Sequence, residues 1–139
     1  MSPSQEDYLK TILIIQKQLG YVRSTDIANY LSVTKPSVSR AVHLLEDNGF
    51  IVFDEHRFIQ LTPAGFERAN TIYQRQCTLQ ALLIFLGVDA QTAAKDACRL
   101  EHTLSAQSFA CLKNLLPSQG GISLCLDNMP ITTATNTII

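Results

Sequence analysis

Cys98, Glu101 and His102 stand at positions i, i+3 and i+4. In a helix that spacing puts all three side chains on one face, close enough to share an ion. A thiolate, a carboxylate and an imidazole together suit a borderline divalent transition metal better than Ca2+ or Mg2+. The same spacing also arises when an amphipathic helix carries one core thiol and two polar neighbours, and the residues alone leave both readings open. A second group of residues lies upstream. No acidic residue occurs between Asp26 and Glu46, whereas Lys35 and Arg40 both do. Lys35, Ser37, Ser39 and Arg40 are residue types that donate to phosphates or base edges. Thr34 and Pro36 open the helix that would carry them, and a helix N-terminus attracts phosphate in its own right. Arg40 is the candidate for base readout, because its guanidinium can pair bidentately with guanine. Arg23 and Arg57 fall where they could touch a DNA backbone. Each of these is, taken singly, also an ordinary solvated side chain; the grouping is what points to DNA.

The elements that must position these residues follow from periodicity and caps. Tyr8, Leu9, Ile12, Ile15 and Leu19 predict a first helix from about Ser4 to Leu19, ended by Gly20. Ser24 is expected to N-cap a second helix carrying Ile27, Ala28 and Leu31. After Ser32-Val33, Thr34 caps a third helix with Val38, Ala41, Val42 and Leu45 on one face, and Pro36 sits in its first turn, where a missing N–H is tolerated. Two short helices joined by a tight turn are a helix-turn-helix. Phe50-Ile51-Val52-Phe53 and Phe58-Ile59-Gln60-Leu61 flank a polar tip and read as a β-hairpin, that is, a wing. Thr62-Pro63 starts a fourth helix reaching to about Leu86, followed by Gly87. Asp89 caps a fifth helix, about Ala90 to Leu104. Ser105 caps a sixth with Phe109, Leu112, Leu115 and Leu116, ended by Pro117. The expected fold is mainly α. A winged helix-turn-helix DNA-binding domain occupies residues 1–70, a helical dimerisation and metal-binding domain 71–117, and an irregular tail 118–139.

Composition narrows the class. The chain has 139 residues, 46% of them apolar and 17% charged, which describes a folded globular chain. A formal net charge of −1 excludes a histone-like binder, so DNA contact must rest on local charge. No secretory n-region and h-region opens the sequence, and its longest apolar stretch, Ala81 to Val88, is far too short to span a bilayer. A cytoplasmic protein is expected, with no membrane contact and with Cys77, Cys98, Cys111 and Cys125 reduced. The cysteines contain no CxxC pair, against a zinc ribbon. No HExxH or Gly-rich phosphate loop is present, so an enzyme is not expected.

Most of the chain, from Gln5 to about Leu116, resembles the diphtheria toxin repressor and manganese transport regulator family of metal-activated repressors. The likeness is carried by Glu6-Asp7-Tyr8-Leu9, Asp26-Ile27-Ala28, Pro36-Ser37-Val38-Ser39, Leu61-Thr62-Pro63-Ala64-Gly65, Leu86-Gly87-Val88-Asp89 and the run from Ala97 to Ser105. The resemblance implies a repressor that binds palindromic operator DNA as a homodimer when loaded with Fe2+ or Mn2+ and controls metal-ion uptake genes. Zn2+, Co2+ and Ni2+ are expected to bind in vitro, and no small organic ligand is expected. By the same resemblance the ligand set is Asp7, Cys98, Glu101 and His102. Asp7 is the residue type of the manganese branch and Cys98 that of the iron branch; Glu101 and His102 match both.

The departures bear on the second ion of the family. Lys10 stands where the manganese branch has another carboxylate, Gln76 where both branches have a histidine, and Ala94 and Gln80 where iron-responsive members supply further ligands. One ion per subunit is expected. Lys10 then either supplies the positive charge of the missing ion or is simply a solvated helix residue. Two other readings stay open on the sequence: a winged-helix regulator that senses oxidation through Cys98 or Cys77 without metal, and a protein-interaction module on a winged-helix scaffold.

Overall fold

The computed structural model describes residues 3–116, and the expected tail, with Pro117 and Cys125, lies outside the described residues. Among the described residues, six helices and one two-stranded sheet follow in the order α1 (Pro3–Leu19), α2 (Ser24–Leu31), α3 (Lys35–Asp47), β1 (Ile51–Phe53), β2 (Ile59–Leu61), α4 (Pro63–Phe85), α5 (Ala90–Leu100) and α6 (Ala106–Lys113). Internal contacts divide the chain into two units, one running to Thr71 and the other starting at Ile72.

In the first unit α1 packs on α2, α3 and β2, and α2 packs on α3. The apolar positions that recur at helical spacing are the ones that meet: Leu9, Ile12 and Ile15 of α1, Ile27 of α2, and Val38, Val42 and Leu45 of α3 are all buried. Full burial of each Leu, Ile or Val stabilises the unit by about 1.5–3 kcal/mol. β1 and β2 pair antiparallel with Val52 opposite Gln60, and Ile51 and Ile59 turn inward to the same core. The Ile59 N–H also donates to the Val22 carbonyl at 2.8 Å, which ties the wing to the segment before α2. This is a winged helix-turn-helix.

Local chemistry sets the boundaries. The Thr34 hydroxyl accepts the Ser37 N–H at 3.3 Å and caps α3. The start of α2 differs from the sequence expectation: Ser24 is its first helical residue and Arg23 holds the cap position. The cause is Asp26, whose carboxylate accepts the Arg23 backbone N–H at 3.0 Å and so satisfies the helix start from within. At the start of α4 the Thr62 hydroxyl donates to the Gly49 carbonyl at 2.6 Å and accepts the Gly65 N–H at 3.1 Å. The Thr62 N–H in turn donates to the Phe50 carbonyl at 3.0 Å. Gly65 therefore lies so close to Phe50 that a Cβ there would land on the Phe50 carbonyl oxygen.

The second unit contains the C-terminal part of α4 with α5 and α6. Tyr73, Cys77, Leu79 and Leu82 of α4 and Ala93 and Ala97 of α5 are among its buried apolar positions. Gly87, at φ +103°, ends α4 by letting the Val88 N–H reach back to the Leu83 carbonyl at 2.9 Å. Asp89 and Ser105 cap α5 and α6 through the Thr92 and Ser108 N–H groups, at 3.0 and 3.1 Å. α5 is shorter than its expected reach to Leu104. It stops at Leu100, and the chain tightens so that the His102 and Thr103 N–H groups donate three residues back, to Arg99 and Leu100. The Thr103 hydroxyl also donates to the Leu100 carbonyl, and Arg75 of α4 reaches the Leu104 carbonyl at 3.0 Å while its guanidinium sits 4.9 Å from the Phe109 ring centre. α6 likewise closes at Lys113, leaving Leu115 and Leu116 of the expected stripe outside it.

Gly65→Ala is expected to destabilise the winged-helix unit by about 1–3 kcal/mol, because backbone rather than a movable side chain blocks the new methyl. Urea unfolding of the two proteins checks this; equal midpoints would contradict it.

Candidate metal centre and nucleic-acid interface

The triplet singled out by spacing lies where α5 gives way to its terminal turn. Cys98 is in the last turn of α5, Glu101 is the C-cap residue, and His102 follows it. The Glu101 N–H still donates to the Ala97 carbonyl at 3.1 Å, so Cys98 and Glu101 keep their helical relation. The Cys98 Sγ and a Glu101 carboxylate oxygen lie within 4.8 Å of each other. His102 presents its Nε2 at 3.4 Å from Glu101 Oε1. Glu101 is only 4% exposed, and the His102 side chain only 12%. A buried carboxylate beside a thiol is costly unless a positive charge compensates it. The Cys98 thiol and the Glu101 carboxylate are donors that suit a divalent transition ion, whereas the His102 imidazole lies beside Glu101 but is not brought within the same 4.8 Å of both.

On α4 in the same unit, Gln76 is buried and its Oε1 accepts no hydrogen bond among the described residues. Gln80 is buried as well, and Ala94 is half-buried on α5. Cys77 is fully buried and Cys111 of α6 is exposed.

In the first unit, α1 carries Asp7, half-buried, with the Lys10 ammonium 3.6 Å from its Oδ1. Lys10 is 5% exposed, which removes the reading of a solvated helix residue. Burial pushes the neighbouring Tyr8 phenol up, and the charge of Arg40 on α3 partly offsets this.

The polar face of α3 is open to solvent. Lys35, Pro36, Ser39 and Arg40 are exposed, whereas Ser37 is half-buried and its hydroxyl bonds Thr34 Oγ1 at 2.9 Å. Thr34 and Ser37 thus spend their side chains on the cap, leaving Lys35, Ser39 and Arg40 as the outward donors. The sequence reading passed over His43, which is exposed three residues after Arg40 on the same face, its ring 6.3 Å from that of Phe53 in the wing. Arg23 grips Asp26 through Nε and a terminal nitrogen, both at 3.2 Å, and lies over the Tyr21 ring. At the wing tip Arg57 adopts the left-handed region at φ +65° and stacks over Phe53. Asp54 makes that turn: its Oδ1 accepts the His56 and Phe58 N–H groups at 2.8 and 2.9 Å.

Comparison with known proteins follows the same division. The iron dependent repressor N-terminal DNA-binding domain matches residues 1–58, and the iron dependent repressor metal-binding and dimerisation domain matches residues 62–119. The HTH-type transcriptional regulator MntR of Lysinibacillus sphaericus is 34% identical over 115 residues, 83% of each chain. The chain belongs to the diphtheria toxin repressor and manganese transport regulator family. An uncharacterized HTH-type transcriptional regulator of Methanocaldococcus jannaschii is 35% identical over 115 residues, 81% of this chain and 92% of its own. Among solved structures, the metal-dependent transcriptional regulator MtsR is 29% identical with a TM-score of 0.75, over 83% of this chain and 54% of its own. T. acidophilum IdeR is 26% identical with a TM-score of 0.72, over 78% of this chain and 52% of its own. The chain thus spans about half the length of these solved structures. Its relatives are named as transcriptional regulators, a family of metal-dependent repressors and not of enzymes. Among the described residues no helix is long and apolar enough to cross a membrane.

Burial opposes ionisation of Asp54, but the His56 and Phe58 N–H groups, with Gln60, outweigh it and hold the carboxyl below its ordinary value. A depressed carboxylate stabilises the fold above its unfolded pKa and loses that contribution as pH falls through the folded value. The wing tip is therefore expected to loosen only below about pH 4. The His56 and Phe58 amide resonances should titrate together in that window in the native protein. An Asp54→Ala variant whose tip resonances match the native protein's at neutral pH would contradict the assignment.

Proposed function

We propose that this protein is a metal-activated repressor that binds palindromic operator DNA as a homodimer when loaded with Fe2+ or Mn2+, and that it controls metal-ion uptake genes in the cytoplasm. Asp7, Cys98, Glu101 and His102 hold one divalent ion per subunit. The observation that carries this reading is the burial of Glu101 against the Cys98 thiol, with His102 beside it. A divalent cation would supply positive charge that the thiolate and carboxylate could share. The Cys98 thiolate favours Fe2+, while Asp7 pulls toward the harder Mn2+. Zn2+, Co2+ and Ni2+ compete in vitro.

When bound, the ion supplies the positive charge that lets these donors share one place. Asp7 precedes the helix-turn-helix on α1, so an ion held by Asp7 as well as by the α5 turn would restrict the winged helix before DNA arrives. Two recognition helices have to meet two major-groove half-sites at a fixed spacing. Restriction in advance lowers the ordering cost of binding, and by reciprocity operator DNA tightens metal binding. Within α3, Arg40 reads a base edge, and Lys35 and Ser39 hold phosphates. Thr34, Pro36 and Ser37 set the start of that helix against the backbone. Arg57 follows the backbone from the wing, and Arg23 does so from the start of α2. The apolar stretch of α4, where Ile84 and Phe85 are exposed, and the Phe109, Leu112 and Leu116 stripe form the homodimer interface.

DNA-binding titration against the upstream promoter region at fixed salt tests the proposal. Chelator-treated protein is expected to bind weakly, and protein given Fe2+ or Mn2+ anaerobically at least about tenfold more tightly, a coupling of ~1.4 kcal/mol. His102→Ala should lose that gain. Arg40→Ala should weaken binding and relax base preference by about 1–3 kcal/mol at one position of each half-site. Equal affinity with and without metal would contradict the metal reading, and an unchanged footprint in Arg40→Ala would remove its role in readout.

A further inference from the structure

Lysine is rarely fully buried without a paired charge, because its ammonium is strongly hydrated. Lys10 is nonetheless 5% exposed, and its ammonium sits 3.6 Å from Asp7 Oδ1. A long side chain on the first helix of a small domain has easy routes to water. This one is retained inside, next to a residue that the reading above makes a metal ligand.

Charge balance gives the reason. Metal binding requires deprotonated ligands. Asp7, Cys98 and Glu101 then carry three negative charges and His102 none. One divalent ion leaves a surplus of one negative charge. In a buried, low-dielectric place such a surplus either attracts a further cation or opposes closure. Lys10 is the fixed charge of the right sign and size.

We propose that Lys10 is an internal counter-charge that makes the centre neutral with one divalent ion and excludes a second. The inference rests on the ligand set proposed above. Before metal arrives, the ammonium offsets part of the negative charge of the ligands, starting with Asp7. Once one ion is bound, no net negative charge remains to draw another. Its contribution to affinity has a definite sign: a positive charge beside the site opposes the incoming ion, so it limits affinity while it fixes stoichiometry.

The test is equilibrium dialysis of the full chain against Mn2+ under anaerobic, reducing conditions, read by elemental analysis, with circular dichroism to verify folding. The native protein is expected to take up one ion per subunit, and Lys10→Glu a second. Lys10→Met, which keeps much of the length without the charge, is expected to bind its first ion about threefold or more tightly than the native protein. It provides the decision if Lys10→Glu does not fold. Two ions in the native protein, or one ion in a folded Lys10→Glu, would overturn the inference while leaving the metal centre standing. Weaker first-ion binding in Lys10→Met would overturn it too, since Lys10 would then act by orienting Asp7 and not by its charge. No uptake by the native protein would overturn the ligand set itself and the inference with it.

Discussion

A carboxylate that is 4% exposed, with a thiol sulfur within 4.8 Å of one of its oxygens and an imidazole nitrogen 3.4 Å from Oε1, is the constraint around which the second unit is built. Anionic groups in such a place need compensating positive charge, of the kind a divalent ion can supply. The backbone is arranged to hold these donors. α5 stops at Leu100, the following turn tightens, and Arg75 secures the Leu104 carbonyl just beyond His102. The turn is held between the end of α5 and the Ser105 cap of α6, which limits the freedom of its side chains.

The first unit answers a different requirement, which is to expose one helix face and a wing on a rigid base. Its core residues are the periodic Leu, Ile and Val positions of α1, α2 and α3, and the hairpin is fastened to that core through Ile51, Ile59 and the bond to Val22. The outward residues of α3 stay open to solvent, because Thr34 and Ser37 satisfy the helix start. Membership of a metal-dependent repressor family joins the two requirements, and the domain matches fall on either side of residues 59–61.

Much of this was legible in the sequence, for identifiable reasons. Helices with a one-sided apolar period and a Thr, Asp or Ser cap, such as α3, α5 and α6, announce their starts through chemistry local to the chain. The wing was legible from alternating branched and aromatic residues around a polar tip. Helix ends without glycine or proline were not. Nothing between Leu100 and Leu104 marks a stop, so the shortening of α5 became visible only through the Thr103 and Arg75 hydrogen bonds. The start of α2 was misplaced by one residue because Asp26 caps it from inside, where a serine looked the better candidate. The state of Lys10 was illegible in principle: whether a lysine is solvated or buried depends on what packs over it, and no local pattern encodes that. His43 was overlooked because histidine on a helix carries no directional signal until the exposed face is known.

The central claim, that Cys98 and its neighbours form one metal centre, is most directly tested by the near-ultraviolet absorption of the Co2+-loaded protein. The account predicts a sulfur-to-metal charge-transfer band that saturates at one ion per subunit and disappears in Cys98→Ser. A cobalt complex that saturates without any such band, or a band that survives Cys98→Ser, would contradict it.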